Sequence, residues 1–493
     1  MSLKITDLIQ GIEGLVRTGD KIGNPAVTGL TEDSREVKNG FVFVAVKGAK
    51  FDGTAFIPKA ISLGASAILV ESDVKVDAIV PILVHPNPRY ALGMMAAKFY
   101  APEPETIIAV TGTNGKTSTV HFCRQLWHLM GKKSASMGTL GVLKGMATHI
   151  DDTVRSMTTP PNVFLHKALH DLAAEGVTHV AMETSSHGLD QARVAGVPYK
   201  VGAFTNFTRD HLDYHGTEAN YFDAKMKLFT VAMEKGAAVI NADIPEYKKI
   251  EKICLKHSHR VYDFGFKAKY MKLVKITPQP SGQRVEFTYD AKTHIVNLPL
   301  VGAFQVSNLL CAAMMLIAAG EDAGSVIAQM EKVLPVTGRL DKAGDHPSGA
   351  SIYIDYAHTP DALEKVLEAL RPHVAGKGKL KVLFGCGGDR DKGKRPEMGK
   401  LACRLADEVI VTDDNPRTEV AATIRKEIMA ACDAKATEVA GREEAMKQAI
   451  RSLQKGDVLL LAGKGHEKYQ IIGEKTLPFD EVEITTKLLQ NLR

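Results

Sequence analysis

Residues Val110–Thr119 read V-T-G-T-N-G-K-T-S-T. Two glycines, a lysine and a threonine at this spacing are the parts of a loop that holds phosphate. Gly112 and Gly115 let the backbone curl and turn its N–H groups toward phosphate oxygens. Lys116 adds a full positive charge, and Thr117 offers a hydroxyl to a bound Mg²⁺. The usual pattern, G-x-x-x-x-G-K-[ST], would put glycine at position 110, where Val110 stands. The first glycine comes two residues late, so the loop is a shortened variant.

A Mg²⁺-nucleotide needs further oxygen ligands. "THVAMETSSHGLD" brings Glu183 to the end of an apolar run, and "NFTRDHLDYHG" brings Asp210, His211, Asp213 and His215. His211 and His215 are spaced as a zinc pair would be, but no cysteine or H-E-x-x-H context supports zinc. His215 reads as a loop histidine bonded to a neighbouring carboxylate, and His211 is the better ligand candidate. A third set of charges follows four apolar runs near the C-terminus: Asp355 after "SIYI", Arg390 after "KLKVLFGCG", Asp414 after "EVIVT" and Lys464 after "VLLLAG".

The elements that must position these groups can be read around them. "TIIAVTG" is a β-branched run, and Val120, Cys123, Leu126, Trp127 and Met130 recur at helical spacing after the loop. Gly131, Lys132 and Lys133 mark that helix's end, so strand, loop and helix stand in the order a phosphate loop requires. "FVFVAVKG" (Phe41 to Gly48) and "ASAILVES" (Ala65 to Ser72) read as strands, and "APEPE" (Ala101 to Glu105) as a linker. From "VTGRL" (Val336 to Leu340) onward, strands alternate with helical patterns such as "DALEKVLEALR". That alternation specifies a parallel, doubly wound sheet, whose ligands bind outside the C-terminal strand ends.

The chain has 493 residues, enough for about two to four domains. Its 45% hydrophobic and 24% charged residues are those of a soluble globular protein. A net charge of +5, scattered and without runs, excludes a nucleic-acid partner. The six cysteines form no C-x-x-C pair, as expected of reduced thiols in the cytoplasm. The N-terminus carries Asp7 and no signal-peptide pattern, and Leu309 to Ala319, the longest apolar run, is too short for a bilayer and reads as a buried helix.

"TGTNGKTST", "METSSHGL", "NFTRDHLDYHG", "GAFQVSN", "VTGRLD", "DYAHTPDAL", "GCGGDRDKGKRP", "DDNPRTE" and "AGKGHEKYQ" occur in this order. Together they resemble the Mur ligases over nearly the whole chain. The loop is shared with folylpolyglutamate synthases, whereas "DYAHTPD" with "GCGGDRDKGKRP" and "DNPR" is specific. The resemblance implies an α/β protein of three domains. These are a small UDP-substrate domain (1–103), a central P-loop-like ATPase domain with a mostly parallel sheet (104–336), and a C-terminal Rossmann-like domain for the amino acid (337–493). It implies an ATP-dependent ligase of peptidoglycan precursor synthesis. The enzyme would phosphorylate the D-Glu side chain of UDP-MurNAc-L-Ala-D-Glu and pass the acyl group to meso-2,6-diaminopimelate. Mg²⁺ is the implied cofactor, and a monomer working on small molecules in the cytoplasm, without membrane insertion, is the implied state.

The resemblance also implies roles by position. Gly112, Thr113, Asn114, Gly115, Lys116, Thr117 and Ser118 would hold ATP phosphates, with Asn308, Arg339 and Asp355 as further nucleotide contacts. Thr117, Glu183, His211 and Lys225 as a carbamate would hold the metal, and Lys116, Glu183, His211 and Lys225 would be catalytic. Nothing in the sequence itself marks Lys225, which reads as a solvated helix residue with Lys227 an equal candidate. Ser34, Thr158, Thr159, Ser185, Gln191 and Arg193 would contact the UDP-substrate. Arg390, Asp414, Asn415, Pro416, Arg417, Gly463 and Glu467 would contact diaminopimelate. Two departures touch the adenine side: Gln305 stands where relatives carry Asn, and Leu340–Asp341 where they carry Met–Glu. The competing readings are another ligase on the same fold, such as a lysine-adding enzyme, and a nucleotide-binding regulator. The full set of charged C-terminal motifs argues against the regulator.

Overall fold

The computed structural model describes residues 2–18, 23–47, 52–72, 74, 79–147, 157–279 and 282–492; Gly48, at the end of the first expected strand, lies outside them. The chain gathers into two compact units, Met1–Phe264 with Cys311–Val326, and Gly265–Leu310 with Ile327–Arg493.

Besides a short pairing of Leu3–Lys4 with Ala26–Val27, the first unit holds an N-terminal sheet and a larger one. The N-terminal one has five strands: β1 (Val16–Thr18), β2 (Gly29–Thr31), β3 (Phe41–Val44), β4 (Ala67–Val70) and β5 (Ile82–Val84), in the order β1-β5-β4-β3-β2. β3 and β4 are the strands expected there. Helix α1 (Pro88–Phe99) covers one face through Ala91, Leu92, Met95 and Ala96.

The larger sheet is built around β6 (Thr106–Thr111), every residue of which is buried. A β-branched run covered on both faces is what a central parallel strand requires. Helix α2 (Lys116–Leu129) begins four residues before Val120, the first of its spaced apolar residues, and ends at Met130–Gly131. The sheet continues with β7 (Ser134–Gly138), β8 (Gly141–Lys144), helix α3 (Asn162–Ala174), β9 (His179–Glu183), helix α4 (Ser186–Asp190) and β10 (Tyr199–Phe204). Two helices, α5 (Leu212–His215) and α6 (Glu218–Lys227), precede β11 (Ala237–Asn241) and β12 (Arg260–Gly265). The order is β8-β7-β9-β6-β10-β11-β12, parallel except for the β7–β8 hairpin. The chain's one tryptophan, Trp127, is buried on α2 and donates its indole N–H to Glu321, 3.1 Å away. His179 meets the same carboxylate at 3.2 Å.

The second unit opens with an antiparallel meander the sequence did not announce: β13 (Met271–Gln279), β14 (Gly282–Tyr289) and β15 (Lys292–Leu298). The apolar run Leu309 to Ala319 lies in helix α7 (Ala303–Ala319), buried from Leu309 to Leu316. Then comes the alternating region: β16 (Asp341–Asp345), β17 (Ser351–Asp355), α8 (Pro360–Leu370), β18 (Leu380–Phe384), α9 (Lys394–Leu405), β19 (Glu408–Val411), α10 (Ala421–Met429), β20 (Ala436–Glu438), α11 (Arg442–Arg451) and β21 (Val458–Ala462). The sheet order is β16-β17-β21-β18-β19-β20. All four strands read from the sequence are there and parallel, and β16 adds an antiparallel edge. A hairpin, β22 (Tyr469–Ile472) with β23 (Lys475–Pro478), and α12 (Glu481–Gln490) end the chain.

Candidate active site

The loop between β6 and α2 is shaped for an anion. Gly112 has φ +142° and Gly115 φ +86°, conformations that side chains disfavour. A Cβ on Gly112 would run into the Thr205 hydroxyl. Gly115 is also the N-cap of α2, and no side chain caps that end. The helix therefore presents backbone donors and its positive dipole end to whatever binds the loop. The residues after β10 hold the loop from outside. The Asn114 N–H donates to Asn206 Oδ1 (2.8 Å), the Thr113 N–H to the Asn206 carbonyl (3.0 Å), and the Thr205 hydroxyl to the Asn114 carbonyl (2.6 Å). Thr205 and Asn206 were not singled out from sequence, although they sit at the same sheet edge. The Lys116 ammonium curls back onto the carbonyls of Gly112 and Thr113, 2.9 Å from each.

Glu183 ends β9 beside the loop and is buried. Its carboxylate accepts from the Thr117 hydroxyl (3.1 Å), the Thr139 N–H (2.8 Å) and the Thr139 hydroxyl (3.2 Å). A Cβ on Gly138 would overlap it, so glycine makes room for the acid. Two of the expected metal ligands, Thr117 and Glu183, are thus brought together. His211 caps α5 in the left-handed region (φ +51°), about half exposed, with its ring 6.0 Å from Tyr221. Burial, aided by the nearby Lys116 and Lys225 charges, lowers its pKa. His215 bonds the Ser186 hydroxyl at 3.0 Å, a hydroxyl rather than the expected carboxylate. His187, unremarked in the sequence, lies among them, 4.8 Å from His211 and 4.2 Å from Tyr214 between ring centres. Burial and the two other histidines push it down to about 4. Among the described residues no three His, Cys, Asp or Glu side chains form a ready-made metal cage.

Lys225 is the position where the structure corrects the residue-level reading. It is not solvated: it is 1% exposed, with its Nζ 2.8 Å from the Gly112 carbonyl oxygen and 4.3 Å from the centre of the Tyr221 ring. Burial, then the Lys116 charge, holds its pKa well below the ordinary lysine value. Lys227, two residues on, reaches outward to Asp190 at 2.6 Å. The two lysines are not equal candidates. A π-helical turn, Leu228–Ala232, follows α6 directly, a distortion common at functional sites.

The residues expected to touch the UDP-substrate mostly form one polar chain leading away from Glu183. Thr158 bonds Thr139 (3.0 Å); Thr159 is buried and its hydroxyl joins the Glu183 carbonyl to the Ser185 N–H. Thr159 therefore braces the end of β9. Ser185 caps α4 through the Gly188 N–H. Arg193 donates to Gln191 Oε1 through two nitrogens (3.0 and 2.7 Å) and to the Thr159 carbonyl (2.8 Å). Gln191 also lines a cleft of about 350 Å³, with Lys47, Glu71, Asn87, Arg89 and Asp190 among its walls. Ser34 sits half-buried in the turn after β2 and is not part of that lining.

In the second unit, Asn308 donates to Gln305 (3.3 Å), and Gln305 to the Arg339 carbonyl (2.9 Å). The Gln305 departure thus links two expected nucleotide contacts. The Arg339 guanidinium lies over the Tyr356 ring at 4.7 Å, and its buried Nε has no partner. Asp355, at the end of β17, accepts from the Leu340 and Ala357 N–H groups, each at 2.7 Å. Burial lifts its carboxyl to about 6. Asp341 accepts weakly from the Gly338 N–H (3.4 Å).

Six of the seven residues expected to hold the amino acid converge where β19 and β21 end. The Asn415 amide donates to Glu467 (2.9 Å) and its oxygen accepts from Lys464 (3.1 Å) and the Ile471 N–H (3.0 Å). Lys464 also meets Glu467 at 3.2 Å. Gly463 has φ +111°, and a Cβ there would press on Asp414. Arg417, left-handed at φ +51°, is clamped by the hairpin, its N–H on the Ile471 carbonyl and its own carbonyl on the Gly473 N–H. Its side chain donates to the Gly388 carbonyl (2.8 Å), whose glycine packs against Pro416. Arg390 is exposed on the neighbouring loop.

Comparison with known proteins decides the family. The "Mur ligase middle domain" matches residues 110–316, the "Mur ligase, glutamate ligase domain" 338–465, and the "Mur ligase family, catalytic domain" 26–100. The chain belongs to the Mur ligases. Among curated relatives, the UDP-N-acetylmuramoyl-L-alanyl-D-glutamate–2,6-diaminopimelate ligase of Zymomonas mobilis is 48% identical, over 93% of this chain and 94% of that one. That of Agrobacterium fabrum is 46% identical, over 96% and 95%. A solved structure of a ligase of the same name aligns with a TM-score of 0.74 and 31% identity, over 100% and 99% of the two chains. This Mur ligase has the three-domain, mostly parallel α/β fold of its family.

Proposed function

We propose that this Mur ligase joins meso-2,6-diaminopimelate to the D-Glu side-chain carboxylate of UDP-MurNAc-L-Ala-D-Glu at the expense of ATP, a step in bacterial peptidoglycan precursor synthesis. The observation that carries the reading is the convergence of Asn415, Arg417 and Glu467 at one sheet edge, in a chain matching relatives named for this reaction over more than nine-tenths of its length. We assign residues 1–103 to the UDP-substrate, 104–336 to ATP and 337–493 to the amino acid.

The chemistry follows from the residues. The loop N–H groups and Lys116 hold the β- and γ-phosphates and offset charge that builds on the transferring phosphoryl group. The D-Glu carboxylate oxygen attacks the γ-phosphorus, ADP leaves, and an acyl phosphate forms. The free amine of diaminopimelate then attacks the acyl carbon, phosphate leaves, and a proton passes to solvent. Mg²⁺ fits the adjacent oxygens of Thr117 and Glu183, with His211 and Lys225 as a carbamate as further ligands; when bound it supplies charge neutralisation at the phosphates. Lys225 suits carbamate formation because burial favours its neutral amine. Arg417 and Arg390 grip the distal carboxylate that distinguishes diaminopimelate from lysine, while Asp414, Asn415, Gly463 and Glu467 hold its zwitterionic end.

No helix among the described residues is long and apolar enough to cross a membrane. The proposed nucleotide substrates assign the work to the cytoplasm. The test is phosphate release from ATP by purified protein given UDP-MurNAc-L-Ala-D-Glu and a panel of diamino acids. Release should require both co-substrates and favour meso-diaminopimelate; equal use of lysine would refute the amino-acid assignment.

A further inference from the structure

The motif "GCGGDRDKGKRP" supplies Arg390 to the amino-acid reading, but its second arginine, Arg395, has no role there. In the structure Arg395 is the more constrained of the two. It sits at the start of α9, 0% exposed, whereas Arg390 is exposed. Its guanidinium grips Glu419 as a two-pronged fork, Nη1 to Oε2 at 3.0 Å and Nη2 to Oε1 at 2.9 Å. Nη1 also donates to Glu427 on α10 (2.7 Å), and Nη2 to the Gly387 carbonyl (3.3 Å). Glu419 passes the connection on, accepting from the Asp389 N–H at 2.7 Å.

These contacts join two loops. One, after β18, contains Gly387, Gly388, Asp389 and Arg390; the other, after β19, contains Asp414 to Glu419. Further bonds run between them: Gly388 N–H to the Asn415 carbonyl (2.9 Å), Arg417 to the Gly388 carbonyl (2.8 Å), and Thr418 to Asp389 through N–H (3.1 Å) and hydroxyl (2.7 Å). Of the groups that tie the loops, the Arg395–Glu419 fork alone is a fully buried arginine on a charged partner. Such a pair is directional, because both prongs must be met at once. Together with those bonds it constrains how far apart the two loops stand, and with them Arg390 and Arg417.

We infer that Arg395 and Glu419 are positioning residues for the amino-acid substrate, setting the spacing of the Arg390 and Arg417 loops and thereby which diamino acid is accepted. This rests on the diaminopimelate reading above. A carboxylate gripped from two loops tolerates little change in their separation, while an amine without that carboxylate does not feel it. Disturbing the fork should therefore penalise diaminopimelate selectively and leave lysine almost untouched.

The test compares Arg395→Lys, which keeps the charge and loses the fork, with Glu419→Gln, which keeps the shape and loses the charge. Each is measured for kcat and KM with meso-diaminopimelate, lysine, ATP and UDP-MurNAc-L-Ala-D-Glu, and for melting temperature. Both should raise KM for diaminopimelate about tenfold, narrow the diaminopimelate-to-lysine ratio of kcat/KM by a similar factor, and leave the two nucleotide constants unchanged. A lower melting temperature with the wild-type ratio, in either soluble variant, overturns the inference and leaves the fork a brace only. Arg417→Ala separates the two claims. If it leaves diaminopimelate use intact, the pocket reading falls and this inference with it. If it abolishes selectivity while the fork variants keep theirs, the fork's role alone is refuted.

Discussion

Replacing Lys225 with methionine should move stability and activity in opposite directions. The side chain is 1% exposed, its hydrogen bond goes to a neutral carbonyl, and the Lys116 charge lies near it. The Gly112 carbonyl, the Tyr221 ring and the Asp210 charge offset a buried cation only in part, so the native fold bears the remaining cost of keeping the amine neutral or charged. Methionine matches its length without that cost. Exchanging buried charge for a well-packed apolar side chain is neutral or stabilising, on the order of 1–2 kcal/mol here. Activity should fall by about 10² to 10³, the loss typical when one charge-stabilising group is taken from a transition state. The proposed carbamate would account for the contrast: the neutral amine would add CO₂, an N–C bond would form, a proton would go to solvent, and a neutral group would become an anion able to ligate a metal. Thermal melts, ligase turnover and a carbamate ¹³C signal after labelling with ¹³C-bicarbonate test it together. The wild type should show the signal and Lys225→Met should not. Acetate should partly restore turnover to Lys225→Ala, and bicarbonate should not. A Lys225→Met protein that melts lower but turns over within a few-fold of wild type would refute the argument.

Lys116→Ala should lower kcat about 10²- to 10³-fold at saturating ATP; turnover near wild type removes it from the transition state. Arg417→Ala should cost more than Arg390→Ala in kcat/KM for diaminopimelate, because Arg417 is half-buried and an exposed charge contributes only about 0–1 kcal/mol; equal losses would contradict this ranking. Asp355 gives a pH prediction. Its folded pKa of about 6 lies above its ordinary 3.8, so on acidification the native chain takes up this proton first. This group's contribution to stability is then greatest below about pH 4 and declines by about 3 kcal/mol as pH rises to about 6 and beyond. Plotted against pH, the stability of Asp355→Asn minus that of wild type should rise across this window, whatever constant cost the lost acceptor adds; parallel curves would rule it out.

Local order was legible and long-range placement was not. The phosphate loop could be read because strand, glycines and helix follow one another within about thirty residues, and each leaves its own pattern. Four of the five parallel strands of the C-terminal sheet were equally plain as apolar runs. β16, "DKAGD", is a short polar edge strand that only its pairing with β17 reveals, and the meander's first strand alternates for only a few residues before turning largely exposed. Lys225 and Lys227 look alike in sequence, but two residues is about 200° around a helix, so one faces the loop and the other solvent. Thr159 and Arg193 are expected from the resemblance to contact the UDP-substrate, and the bonds they also make to the Glu183 and Thr159 carbonyls could not be read from it. No side-chain pattern encodes a bond to a distant backbone oxygen, and none pairs Arg395 with carboxylates 24 and 32 residues away.

Trp127 makes the helix that follows the Gly112–Gly115 loop optically addressable. It is the chain's single tryptophan, it is fully buried, and its indole N–H rests on the Glu321 carboxylate. Emission excited selectively at the indole therefore comes from one place, the last turns of the helix whose first residue is Lys116. A shift in that emission on adding nucleotide would report strain transmitted along the helix from the loop, and a shift on adding denaturant would time the melting of the central sheet alone, with no dye attached and no signal from the rest of the chain to subtract.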